Sequence, residues 1–102
     1  MIINCGFFVR LEAKPGKEQV VANFLAAGLE MANQETTTPI WFALQLSPST
    51  FGVFDAFAGE EARQAHLAGN IATTLMSRAD EMLASSPSVE PVDILGMKNQ
   101  PT

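Results

Sequence analysis

The stretch IWFALQLSPSTFGVFDAFA, residues 40–58, decides the fold. Ile40–Leu46 and Thr50–Ala58 are both rich in β-branched and aromatic residues, the composition of strands. Between them, Ser47-Pro48-Ser49 is turn chemistry, and so short a link predicts an antiparallel hairpin. Both faces of that hairpin are apolar. Ile40, Phe42, Leu44 and Leu46 alternate with Trp41 and Ala43, and Phe51, Val53 and Phe57 alternate with Phe54 and Ala56. A single charge, Asp55, interrupts this surface, and an unpaired charge in such a strand is costly.

The same reading extends outward in both directions. From Ile3 to Ala13 the odd positions are apolar (Ile3, Cys5, Phe7, Val9, Leu11, Ala13), which predicts a first strand ended by Lys14-Pro15-Gly16. From Lys17 the period becomes helical, with Val20, Phe24, Ala27 and Met31 as the expected stripe, flanked by Val21, Leu25 and Ala32. That helix should end near Asn33–Glu35, before Thr36-Thr37-Thr38-Pro39. After Gly59, Glu60 and Glu61 suit a helix N-terminus, and the helix is interrupted around Gly69-Asn70 before running through Ile71, Leu75, Ala79 and Met82. Val89–Met97 reads as a last strand, with Pro91 tolerated at an edge, and 99–102 as a frayed tail. The order is β-α-β-β-α-β, an α+β ferredoxin-like plan of one antiparallel sheet with both helices on one face. At 102 residues the expectation is a single domain spanning 1–102.

Charged residues make up only 17% of the chain against 47% apolar ones, so the surface is short of the groups that normally coat it. With both sheet faces apolar, the uncovered one calls for a partner sheet, and a homodimer supplies it. The net charge of −5 and the lack of any basic run argue against nucleic acid and against anionic membrane surfaces. One cysteine, Cys5, excludes an internal disulfide, and one histidine with no CxxC leaves no zinc or other metal set, so no metal or cofactor is expected. No signal peptide is legible in MIINCGFFVRLEAK, so a cytoplasmic location is expected.

His66 is the one side chain whose ordinary pKa lies near neutrality. It reads either as a general base or hydrogen-bond donor in an apolar pocket, or as a buried structural histidine. Asp55 shares a strand face with Val53 and Phe57, and either orients His66 or a neighbouring Arg, or makes an inter-strand or dimer-interface ion pair. Trp41, Phe51, Phe54 and Phe57 either wall a pocket for a flat ligand or fill the core. Cys5 reads as an inert small hydrophobe, Met31, Met76 and Met82 as core fillers, and Arg63 and Arg78 as surface groups.

Trp41 to Leu75 carries a resemblance. The strand end Phe54-Asp55-Ala56-Phe57, followed nine residues later by the helical His66-Leu67, resembles the antibiotic-biosynthesis-monooxygenase-like family of dimeric α/β barrels. The resemblance implies a homodimer of paired sheets, with a pocket in each subunit between helices and sheet. It also implies oxygenation of an aromatic substrate by molecular oxygen without metal, haem or flavin, with His66 and Asp55 as catalytic residues and Trp41, Val53 and Phe57 at the pocket. The sequence departs from the pattern in places. Val53 and Phe57 stand where the polyketide oxygenases carry Asn and Trp, and Val9 and Met76 fall where a haem-degrading branch carries Asn and a haem-ligand His.

Two functions follow as expectations. One is a cofactor-independent monooxygenase acting on a quinol- or anthrone-type aromatic; the other is a non-catalytic ligand-binding or purely dimerising member of the same fold. A roomy cavity reaching His66 distinguishes the first, and a cavity filled by Phe and Met side chains the second.

Overall fold

The computed structural model describes residues 2–100. Strand β1 (Cys5–Glu12) leads into helix α1 (Glu18–Gln34), then strands β2 (Ile40–Gln45) and β3 (Thr50–Phe57). Helices α2 (Glu60–Leu67) and α3 (Asn70–Met82) precede strand β4 (Ser88–Asp93). The sheet order is β2-β3-β1-β4 with every pair antiparallel, which is the ferredoxin-like arrangement expected. The first and last strands are shorter than their apolar patterns suggest. Ala13 survives only as an isolated bridge to Leu83, and Pro91 sits on β4, an edge strand that pairs only with β1. Part of the expected tail, residues 101–102, lies outside the described residues; Gln100 is not frayed, because its amide brackets Ile3, accepting from the backbone N–H at 2.7 Å and donating to the carbonyl at 2.9 Å.

Register assigns the faces. Phe7, Asp55 and Trp41 are direct cross-strand partners, as are Val9, Val53 and Ala43, and Leu11, Phe51 and Gln45. This is the helix-covered face, where Leu11, Phe51 and Val53 join Val21, Phe24 and Leu25 of α1 and Ala79 and Met82 of α3 in one core. The buried stripe of α1 is Val21, Phe24, Leu25, Gly28 and Ala32, rotated from the expected one, and Ala27 is exposed. The indole edge of Trp41 reaches the helix at Gly28, where an added Cβ would meet ring carbons at 3.3 and 3.4 Å, so a small residue fits best there.

On the other face Phe42, Phe54 and Phe8 are cross-strand neighbours over β2, β3 and β1, next to a row of Ile40, Ala56, Gly6 and Val92. Phe42 is 55% exposed there. Both faces of the sheet are therefore apolar, as the alternation of residues 40–58 requires.

The break between β3 and α2 fixes where the second helix begins. Gly59 has φ of 107°, a conformation that side chains resist, and its carbonyl accepts the first helical bond from Arg63. Gly6 matters for another reason: an added Cβ there would lie 2.1 Å from the backbone oxygen of Asp55, so β1 approaches β3 as closely as only glycine allows. Gly6→Ala should lower stability by about 1–3 kcal/mol, the usual cost of overpacking. A thermal melt showing an unchanged transition would contradict that close approach.

Candidate functional site

Asp55 lies mid-strand on β3, and the sheet register turns its carboxyl toward the helices rather than toward the uncovered face. It is fully buried. One oxygen, Oδ1, accepts the backbone N–H of Phe7 at 3.2 Å. The other, Oδ2, lies 2.9 Å from Nε2 of His66 but off the line of a straight hydrogen bond. Of the two readings open in the sequence, the structure takes the one in which Asp55 meets His66.

His66 occupies the last turn of α2, seven residues after Gly59, and is 7% exposed. Its ring packs against Phe57 with centroids 5.2 Å apart. Nδ1 lies in hydrogen-bond contact with Oε1 of Glu35 at 2.7 Å, and the Thr38 hydroxyl donates to that same oxygen at 2.8 Å. Glu35 is the C-cap of α1, where the chain turns extended. The histidine is thus held between two carboxylates. Nothing in the sequence spacing ties Glu35 or Thr38 to His66, since the helix stripe ends before them; only their proximity in the fold does.

The charge balance follows. Burial by itself lowers the pKa of His66, but hydrogen bonds and charges from Asp55 and Glu35 outweigh it, and the net shift is upward from 6.5. A ring facing only an apolar pocket would shift the other way. The two carboxylates reverse the sign.

A cavity of about 420 Å³ opens beside this pair. Among the described residues, Asp55 and His66 are its only ionisable lining; Trp41, Val53, Phe7 and Val9 form the sheet side, and Ile71, Leu75 and Met76 the α3 side. Of the pocket residues expected from sequence, Trp41 and Val53 line it. Phe57 does not; it is fully buried behind the His66 ring and supports it. Phe51 is core, and Phe54 faces the uncovered side. Met76 is 60% exposed and lines the cavity instead of filling the core, whereas Met82 is buried. Arg63 is not a free surface group, since its guanidinium lies over the Phe7 ring at 5.4 Å and its side chain is 15% exposed. Cys5 is buried beside Phe7 and Phe57.

Val9 and Met76, the positions matched to haem-branch Asn and His, give the cavity only apolar surface. Both nitrogens of His66 already face carboxylates, and among the described residues no cluster of three or more His, Cys, Asp or Glu could hold a metal ion. Nor is any helix among them long and apolar enough to cross a membrane.

No family model and no curated protein matches the chain. Solved structures do. A Nitrosomonas europaea protein of unknown function is 55% identical, with a TM-score of 0.93 over 95% of this chain and 94% of that one. A "putative antibiotic biosynthesis monooxygenase" from the same organism is 15% identical, with a TM-score of 0.80 over 93% of each chain. An antibiotic biosynthesis monooxygenase is 17% identical, with a TM-score of 0.76 over 90% of this chain and 99% of that one. The fold is that of the antibiotic biosynthesis monooxygenase-like proteins, as the strand-end and helix residues suggested. Within it, the chain belongs to one family with the 55% identical Nitrosomonas europaea protein.

The raised pKa of His66 makes stability depend on pH. A group whose folded pKa lies above its unfolded value contributes fully below the unfolded value, 6.5, and its contribution is lost as pH rises through the folded one. The melting temperature should therefore fall as pH rises from 6.5 through the folded pKa, and His66→Gln should flatten that slope. His66→Ala should cost about 3–5 kcal/mol, because it leaves the buried Asp55 charge uncompensated. A pH-independent melt of the parent between 6 and 9 would contradict this account.

Proposed function

We propose that this chain is a cofactor-independent monooxygenase that oxidises a neutral, electron-rich aromatic of the quinol or anthrone type with molecular oxygen. The observation that carries the reading is the apolar cavity whose only ionisable lining, among the described residues, is the Asp55–His66 pair. Its volume lies within the ordinary range of small-molecule pockets, and it is not filled by Phe or Met side chains. Fold likeness alone does not carry chemistry; the residues of this site do.

The chemistry asks little of the protein. An activated methylene, once deprotonated, gives a resonance-stabilised carbanion that delivers electrons to oxygen directly. One oxygen atom enters the ring carbonyl that replaces the methylene and the other leaves as water. The four electrons come from the substrate, so no reductant is needed. Asp55 and His66 take the proton, the Trp41 and Phe7 rings flank a flat substrate, and the apolar walls exclude water from the carbanion. The pair accepts a proton only after giving up the one that lies between two carboxylates and an imidazole. Turnover should therefore rise with pH through a midpoint above 6.5.

The protein works, on this reading, as a single-domain homodimer in the cytoplasm. Support for the dimer comes from the uncovered row of Phe42, Phe54 and Phe8, which a second copy would bury. Light scattering should give a dimer at micromolar concentration, with more than ~2,000 Å² buried, and Phe42→Lys should shift it toward monomer. A monomeric parent would overturn this part.

Oxygen uptake above the uncatalysed background, measured over a panel of anthrones and quinols, tests the activity. His66→Gln should slow it by about 10²–10⁴-fold and remove the pH limb above 6.5. If no substrate of the panel is turned over but some bind, the site is a non-catalytic binding pocket. If His66→Gln retains the parent rate, the proton goes elsewhere.

A further inference from the structure

We propose that Glu35 is the positioning residue of the Asp55–His66 pair: it holds the proton on Nδ1, so that the proton exchanged with the cavity is the one on Nε2. This deepens the reading of that pair as the proton acceptor, although its test needs no substrate. An ionised carboxylate only accepts hydrogen bonds, so an imidazole nitrogen aligned on one must carry hydrogen. The Glu35 contact is the shorter and straighter of the two, at 2.7 Å, whereas the 2.9 Å approach to Asp55 is out of line. When the ring loses a proton, the weaker contact should release it.

The surroundings of Glu35 hold it to this task. Thr38 donates to the oxygen that His66 uses, at 2.8 Å, and thereby fixes the direction of the carboxylate. Its second oxygen, Oε2, is buried with no hydrogen-bond partner among the described residues, a costly arrangement for a carboxylate. Gly69, between α2 and α3, leaves the space it occupies: an added Cβ there would lie 3.0 Å from Oε2. Glu35 does not line the cavity, so it acts through His66 and not on a ligand. Asp55 from β3 and Glu35 from the end of α1 are the charged groups that face the ring, with the neutral Thr38 hydroxyl 3.4 Å from Nδ1. Arg63, one turn earlier on α2, is directed to the carbonyls of Gly6 and Val92.

His66 is the single histidine, so its ring nitrogens give unambiguous signals in protein carrying ¹⁵N-labelled histidine. Titration by NMR should show both nitrogens protonated at low pH and only Nε2 losing its proton as pH rises. Glu35→Gln, which accepts the same bond without a charge, should bring the midpoint down toward 6.5. Glu35→Ala should let the neutral ring move its proton to Nε2. A neutral parent ring protonated on Nε2 overturns the proposal, as does a midpoint that Glu35→Gln leaves in place. Should the Glu35 variants fail to fold, the neutral tautomer of the parent decides alone. Absence of oxygen uptake would overturn the proposed activity without touching this result.

Discussion

A negative charge buried at the centre of an apolar sheet is the constraint on which the rest of this structure depends. Asp55 has no access to water, and one backbone N–H is too little to stabilise it there. The compensating positive charge has to come from the helix layer, and His66 supplies it. Much of the local architecture serves that meeting. Gly6 lets β1 close on the backbone of Asp55, Phe57 backs the imidazole, and Gly59 starts α2 so that its last turn arrives over β3. The helix end itself favours a cation, because its unpaired carbonyls carry partial negative charge.

The same cluster sets stability against reactivity. With the ring protonated, the charges alternate from Glu35 through His66 to Asp55, and the buried carboxylates are compensated. With the ring neutral, the two carboxylates are left with no cation between them, yet only in this form has the ring a nitrogen free to accept a proton. A functional site commonly carries such a conflict, and the surrounding core has to tolerate it. Here the tolerance comes from the contiguous packing of Leu11, Val21, Phe51 and Met82 beneath the other end of the sheet.

The sequence carried the architecture well because period-2 and period-3.6 patterns are physical requirements of a sheet covered by helices. Residues 40–58 showed both the hairpin and its two apolar faces, and the helix break at Gly69-Asn70 was legible as Gly-Asn. The pairing of Asp55 with His66 was legible only as one of two alternatives, since strand alternation tells which residues share a face but not which face the helices cover. Glu35 was invisible for a related reason. It lies beyond the last buried turn of α1, where periodicity has ended, and it meets His66 across 31 positions of sequence. The sign of the histidine's shift was hidden as well, because the bonds and charges that outweigh desolvation come from Asp55 first and Glu35 second, and neither contact is legible in the spacing. Phe57 and Met76 exchanged their expected places for want of depth information: a strand-end aromatic and a helical methionine look alike as apolar residues, whether they back a pocket or line it.

The short run from Gly59 to His66 has a consequence for how chain length can vary. Each residue of an α-helix turns the side chain by about 100°, so one residue added or removed in those seven would swing the imidazole away from both carboxylates. The seating of Asp55 would fail with it. The turn at Ser47–Ser49 is not part of the cavity lining; it closes through bonds from Leu46 and Ser47 to Thr50, and only its last residue, Ser49, is tied to Glu12 and Ala13 at the end of β1. Insertions and deletions should therefore accumulate at that turn in diverging copies of the gene, while the interval between the glycine and the histidine stays fixed at seven even after most of its residues have changed.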